Sequence, residues 1–600
     1  MAIVPSINVA SDSSGFAPFT VHVNVDVDNS DFDGVPIEDC IFEWNFGDAN
    51  PPLNGHQDNN RYDSLGSILD DTSLVQGNYK NKTRFCIPTL DSNTDNTGYS
   101  YRSGDSNSKQ QGLNAAYTYY HDNNGEPFLI TLSVVHNGVA TNKISVEITV
   151  NEPIVYETWT SGSGGNDILN PAHAVNSSDS WVSLVVNSSY SDNPSSGSSR
   201  LFSTINDAFE WIDNFRSSTS PGGVNGRCRI VLSNLNDQYE FVVSNEIIVT
   251  QSDIVIAVLD YSKNRSFKII PSETFDPGSF ISMFTFDDDV KNVYIENIQF
   301  IGIKSPYNSS LSETTNVNPI HINAASNITL HNCSIYGCSQ GVYIDTSAFS
   351  CIYINLFYTP KEQSGYVSKN SLFTLYGSNI VLSNVEVSNF SSRTLYNKQG
   401  YILDIGVPSY SSIQWCYIDA AMTSDSLYAS LGTEEKGGSI YATRPTYSTI
   451  SSNMFIRGCN VIAEAQQTRI DGNYISVAGG GQKTSPVVDT VASKASGLSV
   501  IGDSSNLCVV NNVFDLKHNH IMGNAFSTDS FPKYDIKISN NTFIVQKNVS
   551  SLICVCDFSD LNASYAYVYF YNNLFIENRV GVLSRMISWS VPFGGYGNNV

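Results

Sequence analysis

The 600-residue sequence predicts an all-β protein, a β-sandwich at the N-terminus followed from about Arg229 to Val600 by a right-handed parallel β-helix. Three observations carry this. Tyr and Phe number 33 and 30 while charged residues are only 15%, and with abundant Ser, Thr and Asn that is a strand-forming composition. A short apolar unit recurs nine times at uneven intervals. Ahead of it stands one amphipathic helical segment followed directly by β-branched runs.

Residues 1–152 come first. Val21, Val23, Val25 and Val27 alternate with polar residues, the period of a half-buried strand. Phe42-Glu43-Trp44-Asn45-Phe46-Gly47-Asp48 is an aromatic strand ending in a glycine turn. Further strands are expected at Ala115–Tyr119, Phe128–Val134 and Ile144–Val150, and Glu152-Pro153 closes the unit. The segments Phe16-Ala17-Pro18-Phe19-Thr20-Val21, Trp44 to Asp48, and Tyr117-Thr118-Tyr119 resemble, in that order, those of a PKD domain, an immunoglobulin-like sandwich. The resemblance implies adhesion or spacing and makes Trp44 a core residue in preference to a sugar platform. It is interrupted by a long polar insertion at 49–113 where the family has a short loop.

Residues 153–200, rich in Ser, Gly and Asn, read as a linker or irregular lead-in. In 201–228, Ile205, Ala208, Phe209, Ile212 and Phe215 lie on one helical face, with Thr204 and Asp207 placed as a capping box. Helix and following runs resemble the entry of pectin-lyase-like folds, in which a helix plugs the open end of the solenoid. An uncapped end would expose apolar surface and unpaired strand edges.

The repeat reads apolar, any, small or Asn, any, any, apolar. It begins at Ile295, Leu330, Leu382, Ile413, Ile450, Ile470, Val509, Ile538 and Phe570, with intervals of 20 to 52 residues. Strands must stack while turns can swell, so a parallel β-helix produces this pattern. Six units carry Asn third, at Asn297, Asn332, Asn384, Asn511, Asn540 and Asn572. That predicts an asparagine ladder. The final Tyr596-Gly597-Asn598-Asn599-Val600 aligns with Val509 to Val513 and stops before the second apolar position. Further coils or a neighbouring chain are therefore expected to cover Val600.

Composition also excludes partners. A net charge of −25 argues against nucleic acid or an anionic membrane, which need a basic footprint. Met1 to Pro5 has no basic or apolar signal character, and no run of eighteen apolar residues could span a bilayer. The eleven cysteines are odd in number, without paired CxxC motifs, so zinc and disulfides are not expected. Cysteines as buried fillers fit folding in a reducing cytoplasm. The sequon at Asn327 is read as chance. No cofactor is implied, and Asp287-Asp288-Asp289 reads as a solvated turn in preference to a calcium site.

Catalytic chemistry is sparse. A glycosidase needs two carboxylates roughly 5 to 9.5 Å apart, and equivalent positions on adjacent coils lie about 4.8 Å apart. The second position of the repeat reads Glu296, His331, Ser383, Gln414, Ser451, Asp471, Val510, Ser539, Tyr571, an outward column without an adjacent acid pair. Glu464, Asp471, Asp515 and His518 remain as candidates, against the simpler reading of solvated turns. Polygalacturonase motifs are absent, and no lyase pattern of calcium-binding aspartates with a catalytic arginine is visible.

Three functions fit. The preferred one is a structural and adhesive virion protein, resembling bacteriophage tail fibres, tailspikes and head appendages. It would bind host surface polysaccharide, meet other virion proteins, be open to homotrimer formation, and be assembled in the host cytoplasm. The alternatives are a polysaccharide depolymerase (lyase or hydrolase) on the same scaffold and a bacterial surface adhesin.

Overall fold

The computed structural model describes residues 3–48, 109–119, 122–141, 143–151, 181–186, 201–217, 227–232, 240–258, 267–272, 282–296, 298–301, 318–323, 325–336, 342–344, 352–359, 373–383, 385–387, 401–406, 410–414, 416–419, 438–477, 495–516, 523–528, 534–546, 555–558, 566–578, 587–589 and 595–597.

The N-terminal unit is a sandwich of two sheets. Ile7–Val9, Phe19–Val25 and Asn114–Tyr119 form one. Ser14–Phe16, Ile144–Asn151, Phe128–His136, Ile41–Asn45 and Lys109–Gln111 form the other. Valines 21, 23 and 25 point into the core as their alternation predicts, against Phe46, Tyr119 and Phe128. Trp44 is 1% exposed and donates from Nε1 to the Gly112 carbonyl at 2.8 Å, so it is a core residue. Tyr119 Oη donates to the Phe46 carbonyl at 2.7 Å and Tyr117 Oη to Asp48 at 2.7 Å. Lys109–Gln111 already pairs with Ile41–Asn45, so the polar insertion ends before the sheet resumes, earlier than residue 113.

The rest is a solenoid of thirty-six described strands in parallel register. One coil shows its plan. Gln466–Asp471 lies on sheet A, a tight turn leads to Tyr474–Val477 on sheet B, and Ala495–Ile501 on sheet C returns the chain to Ser504–Val510 on sheet A. Each strand contributes one or two inward apolar residues, and these merge into one continuous core from Leu184 to Phe570. Phe514 and Phe543 stack across adjacent coils at 5.0 Å. The helix Ile205–Ser217 buries Ile205, Ala208, Phe209 and Ile212 in that same core. Thr204 Oγ1 accepts from the Asp207 N–H at 3.1 Å, the expected N-cap.

Three expectations need correction. The solenoid begins before the helix, because Trp181–Val186 pairs in parallel with Arg227–Leu232 inside the stretch read as lead-in. Its six residues are a strand run hidden by Ser- and Gly-rich flanks. A further rung lies inside the longest interval of the repeat, where Ile354 stands in register between Leu330 and Leu382. It was invisible because its turn is shortened, with Cys333 facing Leu356 after a register shift.

The third concerns the ladder. Asn511, Asn540 and Asn572 do occupy equivalent turn positions, each with φ of 54 to 56°, a left-handed conformation that Asn tolerates. The stacked amides, however, belong to the next residue: Asn453, Asn473, Asn512, Asn541 and Asn573. Each of the first four is buried and donates Nδ2 to the following Oδ1 at 2.9 to 3.1 Å. Each also donates to the carbonyl one rung back, as Asn512 does to Ile470 at 3.0 Å. In earlier rungs Cys416 and Cys333 hold the same position, their thiols reaching the Leu382 and Ile295 carbonyls at 3.7 and 3.6 Å. Asn297 and Asn384 lie outside the described residues. Cys40, Cys228, Cys333, Cys416, Cys508 and Cys556 are buried and form no disulfide.

The sandwich lies along sheet A and covers it. Thr329 Oγ1 donates to Thr20 Oγ1 at 2.6 Å, Asn327 Nδ2 to the Thr20 carbonyl at 3.1 Å, and Asn24 Nδ2 to Asn379 at 2.8 Å. Ala116 packs on Val381. Gln414 reaches the Gln111 carbonyl, Arg469 the Glu38 carbonyl at 2.6 Å, and Lys537 the Asp39 carboxylate. A side chain at Gly112 would press on Thr449 at 3.1 Å, and its φ of +119° also demands glycine. The sequon residue Asn327 is buried here. The contact follows nine rungs, from Asn292 to Lys537, roughly 38 Å.

His22 sits in this interface with 1% exposure, and neither ring nitrogen has a hydrogen-bond partner. Burial lowers its pKa from 6.5 to about 3.

Candidate functional site

Docking settles the fate of the outward column on sheet A. Its members stack as expected, with Glu296 opposite His331 and Gln414 opposite Ser451. Glu296, Gln414, Ser451, Val510 and Ser539 are nonetheless all buried, so this column is not a groove. It does hold one pair the search for paired acids passed over: His331 Nδ1 lies 3.7 Å from Glu296 Oε1, and its ring stacks on Tyr294 at 6.0 Å.

The four candidates are not brought together. Asp471 is consumed in docking. Arg469 donates to its Oδ2 from Nε at 2.8 Å and Asn511 to its Oδ1 at 2.9 Å, while the same guanidinium holds Glu38. Glu464 stands at a left-handed turn between sheets C and A, in an exposed ion pair with Arg444. Asp515 ends a strand of sheet B, 5% exposed, and accepts from Tyr474 Oη at 2.6 Å. Burial and that bond raise the Tyr474 pKa. The Ser476 hydroxyl, in register with Asp515, is buried without a partner. His518 lies outside the described residues. Asp287, Asp288 and Asp289 form an exposed turn, and no cluster of three metal-ligating side chains occurs among the described residues.

Sheet C carries the remaining outward column. Its strands are short triplets in which an outward residue separates two inward ones: Ile320-His321-Ile322, Phe373-Thr374-Leu375, Leu403-Asp404-Ile405 and Ile440-Tyr441-Ala442. Tyr343 holds the register position between His321 and Thr374. The column continues through Val461, Ser499 and Ser527 to Asp557. Sandwich hydrogen bonds described above all land on sheet A or the turn leading into it. On sheet C, Asp404, Tyr441, Val461 and Ser499 remain partly exposed.

Asp404 is the chemically distinctive group. Partial burial raises its pKa from 3.8 to about 6, because a desolvated carboxyl resists ionising. Thr374 and Tyr441 flank it on adjacent rungs, about 4.8 Å away. Two residues along the strand, the Tyr376 ring lies across bare Gly406, where a Cβ would fall 1.8 Å from a ring carbon. Glycine thus lets an aromatic wall lie beside the acid. Glu246, just before the strand whose Ile248 opens the column, is tied down by the Ser282 N–H at 3.3 Å and the Thr285 hydroxyl. The arrangement offers one proton donor near neutral pH, hydroxyls and aromatic faces along a straight line of rungs. Sequence reasoning missed it by following the repeat that marks sheet A. The apolar–polar–apolar triplets in the gaps were its signal.

No protein-family profile and no curated protein matches the chain. Solved structures do. A DFA-IIIase from Arthrobacter chlorophenolicus A6 is 11% identical, with a TM-score of 0.36, over 68% of this chain and 87% of that one. The A-module of the Azotobacter vinelandii mannuronan C-5 epimerase AlgE4 is 9% identical, with a TM-score of 0.32, over 62% and 92%. The catalytic domain of a GH87 alpha-1,3-glucanase is 12% identical, with a TM-score of 0.37, over 82% and 77%. These names mark carbohydrate-processing proteins, and the likeness is one of fold.

Proposed function

We propose that this chain binds polysaccharide along the outward face of sheet C and hydrolyses it, Asp404 protonating the departing glycosidic oxygen while water adds to the anomeric carbon and releases its proton to solvent. The observation that carries this reading is a half-buried carboxyl, Asp404, on a face the sandwich leaves open, with Tyr441 on the next rung and the Tyr376 ring beside it; burial there raises its pKa to about 6. A carboxyl protonated near neutrality is what general-acid catalysis requires. Rungs of about 4.8 Å give a chain of sugar rings repeated partners in Tyr441 and Ser499, which stay partly exposed beside Asp404. The test is release of reducing ends from soluble polysaccharides. Activity should fall as pH rises through about 6, because the donor loses its proton there. Asp404→Asn should lower the rate at least about 100-fold. An unchanged rate in Asp404→Asn would remove Asp404 from this role.

Adhesion without cleavage is a second reading, and one observation favours it. The in-register neighbours of Asp404 are Thr374 and Tyr441, neither of them a carboxylate, whereas glycosidases of the usual kind employ two. Retention on a polysaccharide gel with no new reducing ends would select this reading. On either one we place the chain at a virion surface, with the sandwich as a PKD-like spacer. Six cysteines buried outside any disulfide support assembly in a reducing cytoplasm, and imaging of purified particles tests the location.

A further inference from the structure

The strand Ala566–Tyr571 lies on sheet A one rung past Lys537, where the sandwich contacts described above end. Val568 and Phe570 point inward at 4% and 1% exposure. Alternation therefore turns Tyr567, Tyr569 and Tyr571 outward. Tyr567 is 60% and Tyr569 38% exposed, and among the described residues no other aromatic side chain is so open. On the preceding rung these three face Asp535, Lys537 and Ser539. On the following rung Tyr569 and Tyr571 face Gly595 and Gly597. Having no side chains, these glycines leave a shelf of bare backbone beside the rings. Lys537 fixes one end of the strip, bound to Asp39 and 5.8 Å from the centre of the Tyr571 ring.

We propose that Tyr567 and Tyr569, with the glycine shelf, form a second glycan-binding site, specific for neutral hexose polysaccharide and without catalytic function. Exposed aromatic strips mark binding surfaces. Tyrosine pairs an apolar face with a hydroxyl rim, which matches a pyranose ring, apolar on its C–H face and hydroxylated at its edge. Tyrosines two residues apart stand about 6.8 Å apart, enough to receive adjacent sugars. Asp535 and Ser539 supply polar groups at the margin. The chain's net charge of −25 repels uronate or sulfate polymers, leaving neutral ones. This site is distinct from Asp404, which lies on another sheet and five rungs short of Asp557, roughly 24 Å. The inference borrows from the proposed function only the class of ligand.

The test is affinity electrophoresis of the full chain in gels containing dextran, mixed-linkage β-glucan, mannan or, as the polyanion, alginate. The wild type should be retarded by at least one neutral polymer and not by alginate. Tyr567→Ser/Tyr569→Ser should weaken that retention at least tenfold, with an unchanged melting temperature as the check on folding. Tyr569→Trp should keep it. Reducing-end release is measured on the same double variant, so a loss of retention with cleavage kept and a loss of cleavage with retention kept are read separately. The inference is overturned if the double variant is retained like the wild type, if no neutral polymer retards the wild type, or if the double variant only dissociates a self-assembled species in sedimentation.

Discussion

The outward faces of sheets A and C are built on the same inward alternation and the same rung spacing, yet they carry different residues. Sheet A shows Val255, Tyr294, Thr329, Val381, Ser412, Thr449 and Cys508, all buried beneath or beside the sandwich. Of the cations in that column, Arg469 and Lys537 are each matched by a carboxylate. Sheet C keeps Asp404, Tyr441, Val461 and Ser499 partly open in its middle rungs, with His321 and Thr374 buried before them and Ser527 and Asp557 buried after them. A solenoid interior is set by its apolar columns, so the outer positions are free to record what lies against them. Neutral, small and β-branched residues record a protein cover, while a protonatable acid among tyrosines and hydroxyls records an exchangeable ligand.

The largest expected effect breaks the cover. The docked pKa of His22 lies below its free value, so docking is at full strength above pH 6.5 and is lost progressively as pH falls toward about 3. The loss reaches at most roughly 5 kcal/mol. Small-angle scattering against pH should show the sandwich separating from the rod, and His22→Leu should abolish that dependence. Scattering that stays constant from pH 7 to 4 would contradict it. Next in size, Arg469→Ala leaves Asp471 without its cation and the Glu38 carbonyl without its donor, a cost of about 3 kcal/mol in urea unfolding. Arg469→Met with Asp471→Leu should cost less than Arg469→Ala alone, because no unpaired charge remains. The smallest effect makes the comparison sharpest. Val381→Thr inserts a hydroxyl into the covered face and should cost about 1.5 kcal/mol. Val461→Thr, the same change on the open face, should stay within about 0.5 kcal/mol. Equal costs for the two would mean that the faces do not differ.

Much of the fold was legible because it rests on local alternation. The valines of strand Phe19–Val25, the capped helix at Thr204 and the nine repeat units all declare themselves within a few residues. What escaped was either shortened or non-local. Ile354 lost its unit to a missing turn residue, and Trp181–Val186 was submerged in polar flanks. In the ladder, two neighbouring asparagines compete for one role. Asn511 takes the left-handed turn and Asn512 the stacked amide, and composition alone does not rank them. The candidate site escaped for a related reason. Thr20, His22 and Asn24 look solvent-facing in sequence, so nothing announced that sheet A was covered and that the search belonged on sheet C.

The salt bridge between Asp39 and Lys537 joins residues 498 positions apart, and that separation is also an interval of time. A chain emerging at 5 to 20 residues per second completes the sandwich early, then waits roughly 25 to 100 s for the last rung of its docking surface. Throughout that wait the neutral face around His22 and Ala116 has nothing to rest on. Coils that otherwise touch only their neighbours are then bound together in one late event, so the sandwich acts as a splint, fitted once the rod has been wound.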